Sequence, residues 1–423
     1  MKKSGPLSSL ARDTILLVGA TIYLRALSAL TTILLTRFLS ESAYGSFAYG
    51  QSLALIFMFG ASIGLPTYII KHIGDAPEQR GELFHRSLLL ILVIAVIQSL
   101  VLGLLFFLNV LPAGQFFIMG PVAITGSFMA CNLVLQSFFR TQNYVGRQTI
   151  LLVMQGTAVL LVVPACAYFF HAAQAVAAAW VGVFTLMFIL YMFAARPILA
   201  IPLASNPVID LKTLFRRTLP YGGIDWTIAS FPLIVSTCLL FWAGLPTVGI
   251  FSASYTVYSA VSILALVLDQ IFINELAKAP AARKLQVEKT YLKVAFVLGL
   301  SVALVLFTSS GFLSMLFFRD FHEHLQLSIQ VLSIAVLFRF LSLAASSHDR
   351  MHAGSSLILK TYIGGFFAIL VLAPFAVQWG ILGGVYTLVL IEFLLTLSFL
   401  RKRFTTLLPT LKKARVISDQ VKP

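Results

Sequence analysis

The sequence predicts an all-α polytopic membrane protein of about twelve transmembrane helices in two halves of six. Three observations lead there. The 423-residue chain is 59% hydrophobic and only 11% charged, against about 25% charge in a soluble domain. Apolar stretches of the roughly 20 residues that cross a bilayer recur along its whole length. Its 30 Lys and Arg fall almost entirely in alternate connections between those stretches. No soluble catalytic domain fits in what remains.

In order along the chain, spans lie near 14–36, 45–70, 87–109, 116–139, 148–170, 173–195, 220–242, 246–270, 292–314, 327–347, 357–378 and 380–400. The first follows Lys2, Lys3 and Arg12, is too long for a signal h-region and has no small-residue cleavage site, so it is expected to stay in the protein. The second carries Gly60 and Gly64 as G-x-x-x-G, a spacing for close helix packing. Spans five and six, and the last two, are joined by turns of only a few residues. Pro164, Pro232 and Pro374 sit inside spans, where they free carbonyls and permit kinks. The segment 196–219, with Pro197, Pro202 and Pro207, is the expected cytoplasmic linker between an N-terminal half, 1–195, and a C-terminal half, 220–400. A basic tail, 401–423, follows.

With both termini on one side, the opposite loops hold only Arg37 and Arg319, and Arg25 and Arg339 fall within spans. All other Lys and Arg share the side of the termini. By the positive-inside rule that side is the cytoplasm, and the membrane is the inner (plasma) membrane. The net charge of +15 is then a topology signal with attraction to the anionic leaflet, and nucleic acid is not an expected partner. The opposite loops are short, the longest near 316–326, so none can fold into a domain.

Catalytic signatures are missing. There is no nucleotide-binding P-loop and no zinc-protease or serine-hydrolase elbow. Cys131, Cys166 and Cys238 lie in apolar runs without metal-ligand spacing, and most of the seven His sit near loop ends. The expectation is a protein that is not an enzyme and uses neither cofactor nor metal.

The halves resemble each other. "AYGSFAYGQSL" from Ala43 follows the pattern of "TVGIFSASYTV" from Thr247, pairing Gly45 with Gly249 and Phe47 with Phe251. Pro164 pairs with Pro374, and Arg140 with Arg350, at offsets of about 204 to 210 residues. Six spans per half gives both halves one orientation, a parallel repeat about an axis along the membrane normal.

The informative residues are ionisable ones inside spans, since each mid-bilayer charge costs roughly 2.5–3.5 kcal/mol on insertion scales and is expected to face a cavity or a partner. In span one, Thr14, Thr21, Arg25, Ser28 and Thr32 form one polar stripe on an apolar helix. In span eight, Ser252, Tyr255, Ser259, Ser262 and Asp269 form another. In span seven, Asp225, Ala229, Pro232 and Ser236 make a small and polar face. Helix–helix contact is the simpler account of such stripes; the central arginine favours a cavity for span one. The expected cavity residues are Arg25, Ser28, Thr32, Asp225, Tyr255 and Ser259. Arg339 and Glu392, of opposite charge in one half, are either an ion-coupling pair or a structural one.

At this level the chain resembles the polysaccharide-biosynthesis flippases, the O-antigen (Wzx-type) transporters of the multidrug/oligosaccharidyl-lipid/polysaccharide superfamily. The likeness lies in "TRFLSESAYGSFAYGQSL" and "GASIGLPTYIIKH", with Arg37-Phe38-Leu39, Tyr44-Gly45 and Gly64-Leu65 at the recognisable positions. It also lies in "RRTLP" at Arg216 and in "WGILGGVYTLVLIEF" before the last span. The resemblance implies two six-helix lobes in a V, with spans one, two, seven and eight lining the cavity. It implies movement of a polyprenyl-diphosphate-linked oligosaccharide to the outer leaflet, with membrane lipids and polysaccharide polymerase or assembly proteins as further partners. Arg25 matches the intramembrane arginine that a diphosphate needs, because guanidinium stays charged and offers a bidentate fork. The small number of cavity arginines departs from the pattern.

Three other readings compete. A drug or metabolite exporter of the same superfamily would favour acidic cavity residues. A major-facilitator transporter would carry an acidic-basic glycine pattern between spans two and three, which "KHIGDAPEQRGELFHR" does not. A membrane polysaccharide polymerase or ligase would need a large outer loop.

Overall fold

The computed structural model describes residues 6–75, 80–142, 144–196, 210–317, 322–352 and 355–420. Arg319 and the prolines Pro197, Pro202 and Pro207 lie outside these residues, as do the side chains of Thr14 and Arg350. Among the described residues the chain is helical throughout: α1 (Pro6–Phe38), α2 (Glu41–Ser62), α3 (Leu65–Asp75), α4 (Arg80–Phe107), α5 (Phe116–Thr141), α6 (Val145–Phe170), α7 (Ala173–Ala194), α8 (Leu211–Lys278), α9 (Ala281–Phe317), α10 (His322–His352), α11 (Ser355–Ala376) and α12 (Gly380–Gln420).

Among the described residues, ten stretches are long and apolar enough to cross a membrane. Two of them, Leu211–Ile273 and Ile358–Arg403, are long enough for two crossings each at 1.5 Å per residue, which gives twelve crossings. The first bends at Gly244, whose φ of 80° and ψ of 179° no helix contains. Ile228 and Ser262 line one cavity, whereas a straight helix would hold them about 50 Å apart, so α8 doubles back there and carries spans seven and eight. The second stretch turns at Gly380, φ 68°, between α11 and α12.

Span two departs from the sequence expectation of one helix over 45–70. Ile63 ends α2 in the left-handed region at φ 33° and Gly64 follows at φ 75°. The chain restarts as α3 with Pro66 in its first turn, where a missing N–H costs nothing. Ser40 caps the other end of α2, accepting from the Ala43 amide at 3.3 Å.

The helices pack as two bundles. In the first, α1 lies on α6, α2 on α5, and α7 on both α5 and α6. Phe47, Phe84, Phe138, Phe139 and Tyr191 fill its interior. In the second, α10 packs on α9 and α12, and α8 on α10 and α11. Contacts between bundles run chiefly through α8, against α1, α2 and α3. Outward faces stay apolar. On α4, Leu92, Ile97, Leu100 and Leu104 are exposed, as a lipid-facing helix requires, because hydrocarbon outside removes any drive to bury them.

Candidate functional site

The seam between the bundles is built on backbone contact. Gly45 of α2 meets the Leu245 carbonyl so closely that a Cβ there would overlap it. A Cβ on Gly249 would sit 3.3 Å from the Gly45 nitrogen and 2.7 Å from the Glu41 carbonyl oxygen. At the other end of α2, Gly64 packs on Gly222 and the Thr218 carbonyl of α8, and Lys71 lies 4.8 Å above the Tyr221 ring. Small residues let the two ends of α2 approach α8 closely, one at the start of its first arm and the other just past the bend at Gly244. Gly60, the other glycine of the G-x-x-x-G, faces Gln98 and Trp226 instead.

Hydrogen bonds tie one end of α1 across the seam. Arg37 Nε donates to the Leu316 carbonyl at 3.0 Å. Thr36 Oγ1 donates to the Phe317 carbonyl at 3.4 Å. These are among the last carbonyls of α9, which have no partner inside their own helix. Nearby, the Tyr44 hydroxyl bonds with Thr32 and Thr256, and Tyr49 with Thr237 at 3.0 Å. Toward the basic end, α1 leans on α6, with Tyr23 bonded to Thr157 at 3.1 Å.

Between these ties lies a cavity of about 140 Å³, lined by Arg25 from α1, Tyr255, Tyr258, Ser259 and Ser262 from α8, Arg339 from α10 and Glu392 from α12, with Ile228, Phe231, Ile263, Leu266 and Leu388 as its apolar wall. The Tyr258 hydroxyl donates to Glu392 Oε1 at 2.9 Å. Arg339 Nη1 stands 3.6 Å from the same oxygen, beyond hydrogen-bond length. Glu392 Oε2 is buried and, among the described residues, accepts no hydrogen bond. Arg25 is exposed to the opening, and among the described residues it has neither ion pair nor hydrogen bond.

Of the residues expected at a cavity, Arg25, Tyr255 and Ser259 meet there, and Arg339 and Glu392 join them. Ser28 is exposed on α1 but does not line it, and Thr32 is buried and engaged by Tyr44. Asp225 is exposed, one turn before Ile228, and makes no ion pair with Arg25. Asp269 of the span-eight stripe is buried at the basic end, accepting from the Tyr291 hydroxyl at 2.9 Å. Tyr258 was missed by sequence reasoning, although its place three residues after Tyr255 puts it on the same stripe. The apolar wall carries no sequence signal that separates it from lipid-facing residues. No group of three or more His, Cys, Asp or Glu that could hold a metal ion occurs among the described residues.

Two bundles joined at an α1, α2 and α8 seam define the fold of the MATE transporters. A multidrug resistance MATE family transporter of the MOP superfamily, solved in an inward-facing conformation, superposes with a TM-score of 0.73 at 14% identity, covering 92% of this chain and 96% of that one. The outward-facing form of such a transporter gives 0.67 at 13%, covering 96% and 99%. A MOP superfamily transporter from Pyrococcus furiosus, described as having a binding pocket of reversed polarity, gives 0.62 at 13%, covering 96% and 99%. The chain belongs to the polysaccharide biosynthesis protein family, whose model matches residues 10–272. No curated protein sequence matches it closely enough to count as a relative.

Proposed function

We propose that this protein flips a polyprenyl-diphosphate-linked oligosaccharide from the cytoplasmic to the outer leaflet for surface polysaccharide synthesis. The observation that carries the reading is Arg25: a guanidinium that lines the seam cavity midway along α1 and, among the described residues, has no carboxylate partner. An unpaired charge at that depth is costly, and a phosphoryl group would neutralise it through two parallel hydrogen bonds. Family membership and the transporter fold support the same reading.

In this account both termini are cytoplasmic in the inner membrane, and the bundles, 1–195 and 220–400, act as lobes that rock about the α2–α8 seam. The sugar needs a polar path, because hydrocarbon cannot satisfy its hydroxyls. The lipid tail stays in the bilayer. The cavity of about 140 Å³ is smaller than the roughly 300–1,000 Å³ that encloses a drug-sized ligand. It suits the phosphoryl part of the head group, and the sugar would occupy the space that opens between the lobes. No covalent step is required.

The test is reconstitution. Purified protein in proteoliposomes should expose a fluorescent lipid-linked oligosaccharide on the far leaflet to an external enzyme, with its chemical structure unchanged. A reading as polymerase or ligase would be supported instead if the glycan were lengthened or transferred. Movement of organic cations in place of the lipid would point to the exporter reading, which the Glu392 carboxylate in the cavity wall favours.

A further inference from the structure

The ends of α5 and α7 and the start of α6 converge on one chain of side-chain hydrogen bonds. Gln136 of α5 donates to the Tyr191 hydroxyl of α7 at 3.2 Å and accepts from Gln148 of α6 at 3.4 Å. Gln148, fully buried, accepts in turn from Arg140 Nε of α5 at 3.2 Å. The chain ends at that guanidinium: Arg140 is exposed, and among the described residues its Nη groups bond nothing. Two more exposed arginines flank it. Arg147, next to Gln148, holds its guanidinium 4.7 Å from the centre of the Tyr144 ring. Arg196, just past α7, lies 4.2 Å from the centre of the Phe193 ring. Stacking on a ring leaves the N–H edge of a guanidinium free, and among the described residues neither arginine makes a hydrogen bond or ion pair. Gln142 Nε2, two residues past Arg140, is a buried donor that also lacks an acceptor among them. The idle groups of this rim are all donors.

The surrounding sequence supplies no counter-ion. Between Glu82 and Asp210 there is no Asp, Glu or Lys, and the only formally charged side chains are Arg86, Arg140, Arg147 and Arg196. A planar guanidinium fork matches phosphate oxygens two at a time. Below the rim the surface is apolar and faces outward. Ile150 and Met154 follow Arg147 on one face of α6, and Leu186, Ile189 and Phe193 lead up to Arg196 on one face of α7, at helical steps of three and four. All five are exposed. Each arginine therefore heads a lipid-facing track.

We propose that this rim is a binding site for an anionic phospholipid of the surrounding leaflet. Its phosphodiester is held by Arg147 and Arg196, with Arg140 as a third donor, and its acyl chains run down the two tracks. The site is separate from the seam cavity, and the flippase reading can fail without it. In the topology proposed above it faces the cytoplasmic leaflet, where basic sites between spans take anionic head groups. It differs from diffuse attraction to that leaflet because Gln148 and two aromatic rings hold the guanidinia in place before the lipid arrives. A soluble anion would leave the tracks unused. Bound lipid ties α6 to α7 and stabilises the first bundle by mass action.

The test uses full-length protein stripped of lipid in detergent, titrated with phosphatidylglycerol. Phosphatidylcholine with the same chains and inorganic phosphate are the controls. Lipid retention is read by native mass spectrometry and stability by thermal melting. Wild type should retain phosphatidylglycerol in preference to phosphatidylcholine and melt higher with it, and inorganic phosphate should not shift the melt. R147Q with R196Q should melt as wild type does without lipid, since both side chains are exposed, and should bind phosphatidylglycerol at least about tenfold more weakly. R147K with R196K, which keeps the charge and loses the fork, should fall between. R216Q with R217Q, which removes two exposed arginines from another basic segment, should bind as wild type. Equal loss in that control would overturn the proposal, because the attraction would then be diffuse. Stabilisation by inorganic phosphate equal to that by lipid would overturn it as well, leaving a site for small anions. A wild type that holds phosphatidylglycerol no better than phosphatidylcholine sinks it whatever the variants do.

Discussion

Gly45 and Gly249, which hold corresponding places in the two halves of the sequence, pack against each other at the seam. A Cβ on Gly249 would lie 3.4 Å from the Gly45 Cα. The contact joins α2 to α8 backbone against backbone, with no side chain between them. Gly45→Ala would drive its Cβ into the Leu245 carbonyl, a backbone atom that cannot rotate away. Overpacking of this kind costs about 1–3 kcal/mol. The expected result is a lower melting temperature in detergent and slower flipping. Gly19→Ala, where a Cβ meets nothing within 4 Å, should change neither.

The ties from α1 to the end of α9 should part each time the seam opens on that side. In a chain with Cys131, Cys166 and Cys238 changed to Ser, Thr36→Cys with Phe317→Cys should form a disulfide. The oxidised protein should stop flipping and recover on reduction. Full activity of the cross-linked protein would show that these ends do not separate.

Glu288 and Arg403 form a second buried pair, with Arg403 Nη2 3.1 Å from Glu288 Oε2 and both side chains at most 4% exposed. It fastens the middle of α12 to the start of α9. Glu288→Ala should destabilise the protein by about 3–5 kcal/mol, because a buried charge loses its counterion. Glu288→Leu combined with Arg403→Met should recover most of that loss. Thermal melts of the purified single and double variants decide it.

Hydropathy made the crossings legible, down to the reversal of α8 at Gly244, because spans of fixed length leave little freedom in where the chain turns. Helical spacing put Tyr255, Ser259 and Ser262 on one face of α8, since residues three and four apart share a face, and these line the cavity; of the α1 stripe only Arg25 does. The opposite charges of Arg339 and Glu392 announced a pair. Their meeting with Arg25 was not readable, because it depends on how two bundles dock. Asp225, also ionisable and inside a span, was expected in the cavity with Arg25, yet it stands one turn before the cavity-lining Ile228. The break at Ile63–Gly64 was marked by Gly64-Leu65-Pro66, but an apolar run on both sides hid it within a single span.

The central claim is that Arg25 binds the substrate's phosphate, and the direct measurement is the flipping rate of Arg25→Ala in proteoliposomes at matched protein density. The account predicts a loss of at least about tenfold with membrane abundance near normal, and partial activity for Arg25→Lys, which keeps the charge without the bidentate fork. Adding Asp225→Ala should not restore transport, since the two residues form no ion pair. Wild-type flipping by Arg25→Ala, or rescue by the double substitution, would contradict the account, because no cation would then remain at that position.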